Sequence, residues 1–355
     1  MPSQLPLFTE CIPTIAKFPS TRYQGSKQKF VDWIWDCIKN IPFHSVLDAF
    51  GGTGCVSFRL KEEGKNVTYN DILPFNYIIG KALIENGFTF LSDSDTNDLL
   101  NKHDGIAYPN FIEQTFKDIY FTDEENRWLD VVSTNIRHMN NAYKQAIAYF
   151  ALFQSCIIKR PYNLFHRKNL YVRLQEVERS FGNKKTWDTP FETHFRKFVK
   201  EANNAVFHNG EICRSINRNI FDIEPIYDLV YIDTPYLNKY GIGVDYADFY
   251  HFLNGLVDYN NWHTRIDYNS KHKRLLKQPN FWNNTETIHQ AFEQLFIQFQ
   301  HSTMVISYRS NGIPTINELT DILTRLGKNI QVFHSRNIKY ALSNKQTQEI
   351  LIVAR

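Results

Sequence analysis

The chain has 355 residues, 43% of them apolar and 22% charged, which suits one large domain or a core domain carrying a substantial insertion. Its 40 Lys and Arg stand against 37 Asp and Glu, a net charge of only +3, so no overall field announces a polyanion and local basic clusters must meet any such partner. No run approaches the ~18 apolar residues of a membrane helix, and residues 1–20 lack the charged-then-apolar order of a secretion signal. The cysteines (Cys11, Cys37, Cys55, Cys156 and Cys213) form no CxxC pair and no histidines form HExxH. A cytoplasmic protein without disulfides or a bound metal is therefore the expectation.

In chain order, VLDAF at 46–50 reads as a short buried strand, GGTG as a glycine turn, and CVSFRLKEE as a helix. VTYND at 67–71 reads as a second strand, and Pro74 can start the next helix. This strand, turn, helix, strand unit opens a doubly wound α/β sheet. From 91 to 216 the pattern is polar, aromatic and helical. LVYID at 229–233 is again a buried strand, and TMVISY at 303–308 another. INELTDILTRLG reads as an amphipathic helix stopped by Gly327, and IQVFHS and EILIVAR as two final strands. Sheet elements at 1–90 and 217–355 thus flank a helical insertion at 91–216.

Three constellations carry chemistry. The first is DAFGGTG, Asp48 to Gly54, where a glycine turn lets a ligand approach the backbone at a helix N-terminus. Asp71 ends the second strand, where an acid in a Rossmann-like site binds ribose hydroxyls. The second is DTPY, Asp233 to Tyr236, at the carboxyl end of an apolar strand. The Asp233 carboxylate and a backbone carbonyl can both accept hydrogen bonds from an amino group, turning the nitrogen lone pair toward an incoming group. Tyr236 offers a face on which a base can stack. The third is RYQGSK, Arg22 to Lys27, which alone reads as a solvated connection.

Together these residues resemble the alpha group of N6-adenine DNA methyltransferases, the Dam-like family, over nearly the whole chain and in the family's order. The resemblance implies a Rossmann-like, doubly wound mixed sheet of the class I S-adenosylmethionine-dependent methyltransferases, with 91–216 as an inserted, mainly helical DNA-recognition domain. RYQGSK then resembles the motif beside the cofactor's methionine moiety, implicating Tyr23 and Lys27. DAFGGTG resembles the FxGxG cofactor loop, implicating Asp48, Phe50, Gly52 and Gly54, and Asp71 matches the ribose acid. DTPY matches the catalytic tetrapeptide, Asp233, Thr234, Pro235 and Tyr236, with Asp233 also near the methionine end. ISYRSNG, Ile306 to Gly312, resembles a segment usually placed near the target base. Thr234 stands where the family has its first proline; it keeps the carbonyl and the extended bias set by Pro235. The acid expected near the cofactor's adenine is replaced by Asn219, or its role falls to Asp222.

No Pro-Cys dipeptide occurs, so the cysteine nucleophile of a C5-cytosine methyltransferase is missing, whereas an exocyclic amine needs none. Asp at the head of the tetrapeptide implies adenine over N4-cytosine by family analogy. An RNA or N4-cytosine acceptor, or an inactive DNA-binding relative, are the rival readings. Adenine N6 inside a duplex cannot meet a buried methyl donor, so flipping from double-stranded DNA is implied. IIKRPYNLFHRKNLYVR, Ile157 to Arg173, interleaves basic and aromatic residues suited to phosphates and bases. Lys159, Arg160, Asn163, Arg167 and Arg173 are the expected DNA contacts, and a cognate restriction endonuclease is a further expected partner. The Tyr- and Trp-rich stretch 238–300 reads mostly as packing.

Overall fold

The computed structural model describes residues 16–176, 184–336, 338–339 and 346–355, so Cys11 and the first part of the chain lie outside the described residues. Seven strands form the central sheet: β1 (Ser45–Asp48), β2 (Asn66–Asn70), β3 (Arg214–Ile216), β4 (Leu229–Ile232), β5 (Thr303–Arg309), β6 (Ile330–His334) and β7 (Glu349–Ala354). Their order is β3-β2-β1-β4-β5-β7-β6. β1, β2, β3, β4 and β5 run parallel, while β7 runs antiparallel to both its neighbours. The mixed α/β architecture is thus parallel-dominated, with one reversed strand.

The near-continuous apolar strands follow from cover on both faces. Alternate residues supply two cores. Val46, Val67, Tyr231 and Val305 face one, and Leu47, Val230, Ile306 and Ile352 the other. Helices Ile288–Gln298 and Ile316–Arg325 close the second face through Phe292, Leu295, Leu319 and Leu323. On the first face lie α1 (Val31–Ile38), α2 (Cys55–Glu62) and α3 (Pro74–Gly80), together with much of the helical segment.

That segment starts its helices with the signals of an N-terminus. Ser92 with Asp95 and Thr122 with Glu125 form reciprocal capping boxes, and Asn141 caps Ala142–Ile158. Ala142–Ile158 is apolar around most of its circumference because it runs through the core, buried from Ala146 to Ile158. Two features differ from the limits expected at 91–216. Arg214–Ile216 is an edge strand of the central sheet, parallel to β2, so the helical part ends before it. The helical residues Phe121, Phe153 and Phe165 also share one core with Val46 and Val67, so this segment is packed into the sheet's first face rather than hung from it. Among the described residues, no helix is long and apolar enough to cross a membrane, and Cys37, Cys55, Cys156 and Cys213 are free thiols.

Candidate active site

The turn between β1 and α2 is built by close backbone approach. Gly51 N donates to Asn70 O at 2.8 Å, and a Cβ at Gly51 would sit 2.1 Å from the Tyr69 ring. Gly54 starts α2 from the left-handed region, φ +77°, where L side chains are strained. Asp71 braces this turn as well as facing the site. Its Oδ2 accepts from Gly52 N at 3.0 Å and Asn76 Nδ2 at 2.9 Å, and its Oδ1 from Leu73 N at 2.8 Å. Asp48, at the end of β1, accepts from Ser57 Oγ at 2.6 Å.

Asp233 follows β4 directly. Its Oδ1 lies 3.0 Å from Lys27 Nζ, which also lies 2.9 Å from Glu349 Oε1. Ser307 Oγ, on β5, donates to the same Glu349 oxygen at 2.7 Å. Burial pulls the Lys27 ammonium down, but Asp233 and Glu349 outweigh it and hold its pKa well above the ordinary lysine value. The N-terminal loop thus brings Lys27 to the end of β4, and Tyr23 with it. The Tyr23 ring is stacked between Tyr250 at 4.6 Å and Tyr246 at 5.5 Å, and Gln24 N donates to Tyr250 Oη at 2.9 Å. Tyr236 is half-buried, edge-on to Tyr308 at 5.9 Å, with the Arg309 guanidinium 5.1 Å from its ring centre. Thr234 is buried.

These residues meet around one cavity of about 520 Å³ over the carboxyl edge of the sheet. Tyr23, Lys27, Asp48, Phe50, Gly52, Asp71, Asn219 and Asp233 to Tyr236 all line it. Gly54 does not; it turns the chain behind the wall. Between the two acid-position candidates, Asn219 is on the wall, while the exposed Asp222 is not. Asn219 also caps a short turn, accepting from Phe221 N at 3.2 Å. Sequence reading missed four contributors. Glu349 was one residue of a core strand. Phe221 and Trp282 stack at 6.1 Å and form an apolar wall with Phe50, though Trp282 was assigned mainly to packing. Tyr246, stacked on Tyr23, also lines the cavity and lies in the stretch read mostly as packing.

Burial pushes three carboxyls up despite their hydrogen bonds: Asp48 to about 7, Asp71 to about 6, and Asp233 to about 6 against the pull of Lys27. Each is raised above the ordinary carboxylate value near ~4. The folded chain therefore holds these protons more tightly than the unfolded chain. That contribution to stability is complete below about pH 4 and is lost as pH rises through about 6 to 7. A cationic ligand in the cavity would favour the ionised forms.

The basic stretch requires correction. Lys159, Arg160 and Arg173 are buried and spend their donors on the protein. Lys159 Nζ lies 2.9 Å from Glu125 Oε1 and donates to Trp187 O and Thr189 O. Arg160 donates to Leu164 O, Tyr120 O, Arg167 O and Asn169 Oδ1. Arg173 grips both oxygens of Glu125, at 2.9 and 2.7 Å. These cations hold carbonyls that no helix or sheet satisfies, which leaves none of the three for phosphate. Arg167 and Lys168 are exposed, and Asn163 is half-buried in a left-handed turn at φ +60°. Arg160→Met is expected to cost at least about 2 kcal/mol, because it orphans several buried carbonyls. Arg167→Ala is expected to leave the melt unchanged and lower the salt dependence of DNA binding by about one phosphate contact. Denaturant melts beside DNA titrations at several salt concentrations check both; the reverse pattern would return Arg160 to the DNA surface.

A parallel-dominated sheet with one reversed strand, and a carboxylate-lined cavity over its carboxyl edge, are compatible with a methyltransferase fold. The chain belongs to the D12 class N6 adenine-specific DNA methyltransferase family, whose model matches residues 23–303, so its reaction is methylation of adenine N6 in DNA. It is 30% identical over 341 residues to type II methyltransferase M2.HphI of Haemophilus parahaemolyticus, across 94% of this chain and 95% of that protein. It is 23% identical over 320 residues to type II methyltransferase M.NlaIII of Neisseria lactamica, across 86% and 88% of the two chains. Modification methylase LlaI of Lactococcus lactis subsp. lactis is 23% identical over 359 residues, and there this chain spans 54% of the longer protein.

Proposed function

We propose that the cavity binds S-adenosylmethionine and that Asp233 directs its methyl group to the N6 amine of an adenine taken out of double-stranded DNA. The observation that carries this reading is the meeting of Asp48, Asp71 and Asp233 with one buried lysine around a single cavity. That donor set suits a cofactor bearing an ammonium and a sulfonium. Lys27 and Asp233 would hold the methionine end, Asp71 the ribose, and Phe50, Phe221 and Asn219 the adenine. When bound, the cofactor supplies a methyl carbon made electrophilic by its sulfonium.

Lys27 occupies Oδ1 of Asp233, which leaves Oδ2 and a tetrapeptide carbonyl for the two N6 hydrogens. Accepting both turns the nitrogen lone pair toward the methyl carbon. In such a transfer the N–C bond would form as the carbon–sulfur bond broke, the bonding pair would stay on sulfur, and the proton that N6 donates to Asp233 Oδ2 would leave through that carboxylate to solvent. Tyr236 supplies the stacking face for the base. The helical segment from 91 to 213, with exposed Arg167 and Lys168, serves DNA recognition. Similarity to proteins named type II methyltransferases supports reading the enzyme as one that marks sites in a restriction-modification system, with a cognate endonuclease as its expected partner.

The test is methyl transfer from labelled S-adenosylmethionine to mixed-sequence duplex DNA, with product nucleosides resolved. A labelled N6-methyladenine peak supports the reading; label in N4-methylcytosine, or in RNA alone, overturns it. In the same assay Tyr236→Ala is expected to lose at least tenfold in rate, and Tyr236→Phe less than threefold, since the ring does the stacking, worth about 1–3 kcal/mol per base. Equal losses would contradict that role. Cofactor binding between pH 6 and 7 is also expected to release protons, because a cation favours the ionised forms of Asp48, Asp71 and Asp233. Calorimetry in buffers of different ionisation enthalpy reads this; proton-neutral binding would contradict it.

A further inference from the structure

Glu349 lies beyond the residues matched by the family model, which end at 303, and opens the reversed strand β7. It is 1% exposed. A carboxylate so deep in a sheet is costly unless it is paired. Its backbone is pinned by the residue that follows β6: Ser335 N donates to Glu349 O and Ser335 Oγ accepts from Glu349 N, both at 2.9 Å. Its Oε1 receives Lys27 Nζ at 2.9 Å and Ser307 Oγ at 2.7 Å. Lys27 carries its charge on a stem with four rotatable bonds, so Asp233 alone would leave the ammonium free to swing. A second carboxylate, presented by a rigid strand, fixes it on a line between two anchors.

We propose that Glu349 is a positioning residue for methyl transfer: through Lys27 it holds Oδ1 of Asp233, so that Oδ2 is presented to the acceptor amine. This rests on the reading of Asp233 as the catalytic carboxylate. The three groups sum to one negative charge, and the surrounding ionisable groups are Asp48 from β1, Tyr231 from β4, Tyr236, Arg309 from β5 and Tyr246. Glu349 and Lys27 act on Asp233 in opposite directions, the carboxylate raising its proton affinity and the ammonium lowering it.

The test is Glu349→Gln, which keeps the length and an acceptor but removes the charge. Expected are a fall in kcat of about 10–100-fold, taken by analogy with the outer partners that orient metal ligands, with KM for DNA within about twofold, and an acid limb of the rate profile moved to lower pH. In a Lys27→Met background the same change is expected to cost nothing further in kcat, since the route through Lys27 is already cut. Wild-type kcat with an unmoved acid limb overturns the proposal. An equal fold-loss in both backgrounds overturns it too, since Glu349 would then act by another route. If Glu349→Gln melts before assay, Ser307→Ala, which frees the same oxygen from its second donor, is measured instead, with a kcat loss and an unmoved KM expected; an unchanged kcat overturns the proposal. Asp233→Asn is assayed alongside. If it retains full activity, the reading of Asp233 falls; if it is silent while Glu349→Gln is wild-type, only the present proposal falls.

Discussion

Asp233→Ala is expected to abolish methyl transfer while leaving the chain folded, and Asp233→Asn to lower the rate by about 10²–10³-fold. The fold should survive because Lys27 keeps its second partner, Glu349 Oε1, at 2.9 Å, so neither charge is stranded. The chemistry should not survive, because alanine removes both the acceptor for an N6 hydrogen and the charge that matches the developing cation on nitrogen. Asparagine restores an acceptor but not the charge, so the gap between the two variants measures what the charge contributes. Single-turnover transfer from labelled S-adenosylmethionine, with a thermal melt of each variant, is the measurement. An alanine variant that transfers at the wild-type rate would remove Asp233 from the reaction.

Lys27→Met should do the opposite, harming stability as well as rate. It removes the one cation between the buried Glu349 carboxylate and the half-buried Asp233, which leaves like charges together without compensation. Breaking a buried pair in this way costs about 3–5 kcal/mol near neutral pH. The sign of its pH dependence follows from the same geometry. Without Lys27 the Asp233 carboxyl is raised further above its unfolded value, so the folded state binds a proton the unfolded state releases. The penalty should therefore be small below about pH 4 and grow as pH rises through 6. Urea melts of wild type and variant at pH 5 and pH 8 check this; a penalty independent of pH would mean that packing of the lysine stem, and not its charge, is what the site needs.

Much of the site was legible in the chain because its parts are local. The β1 turn needs Gly51 and Gly54 within a few residues of Asp48, and the Asp71 carboxylate serves the turn preceding it in the sheet. DTPY announces itself because an apolar strand must end in residues that face the cavity. The basic stretch misled for a physical reason. Exposed and buried arginines share one composition, and only burial distinguishes Arg167, free to meet phosphate, from Arg160, bonded to four protein oxygens. Sequence reading likewise assigned Arg214–Ile216 to the helical segment, since a three-residue edge strand carries too little alternation to be seen.

By itself, then, the sequence determined the local chemistry: the glycine turn, the strand-end acids, the tetrapeptide and the family they resemble. Tertiary structure alone decided which distant groups meet. Lys27 and Glu349 are separated by most of the chain and brought to 2.9 Å by the insertion of β7 between β5 and β6. Trp282 joins Phe50 at 5.2 Å to make a wall that neither segment predicts. Spacing along a chain encodes helix faces and strand alternation, but a buried ion pair depends on strand order, and strand order is settled only when both faces of the sheet are covered.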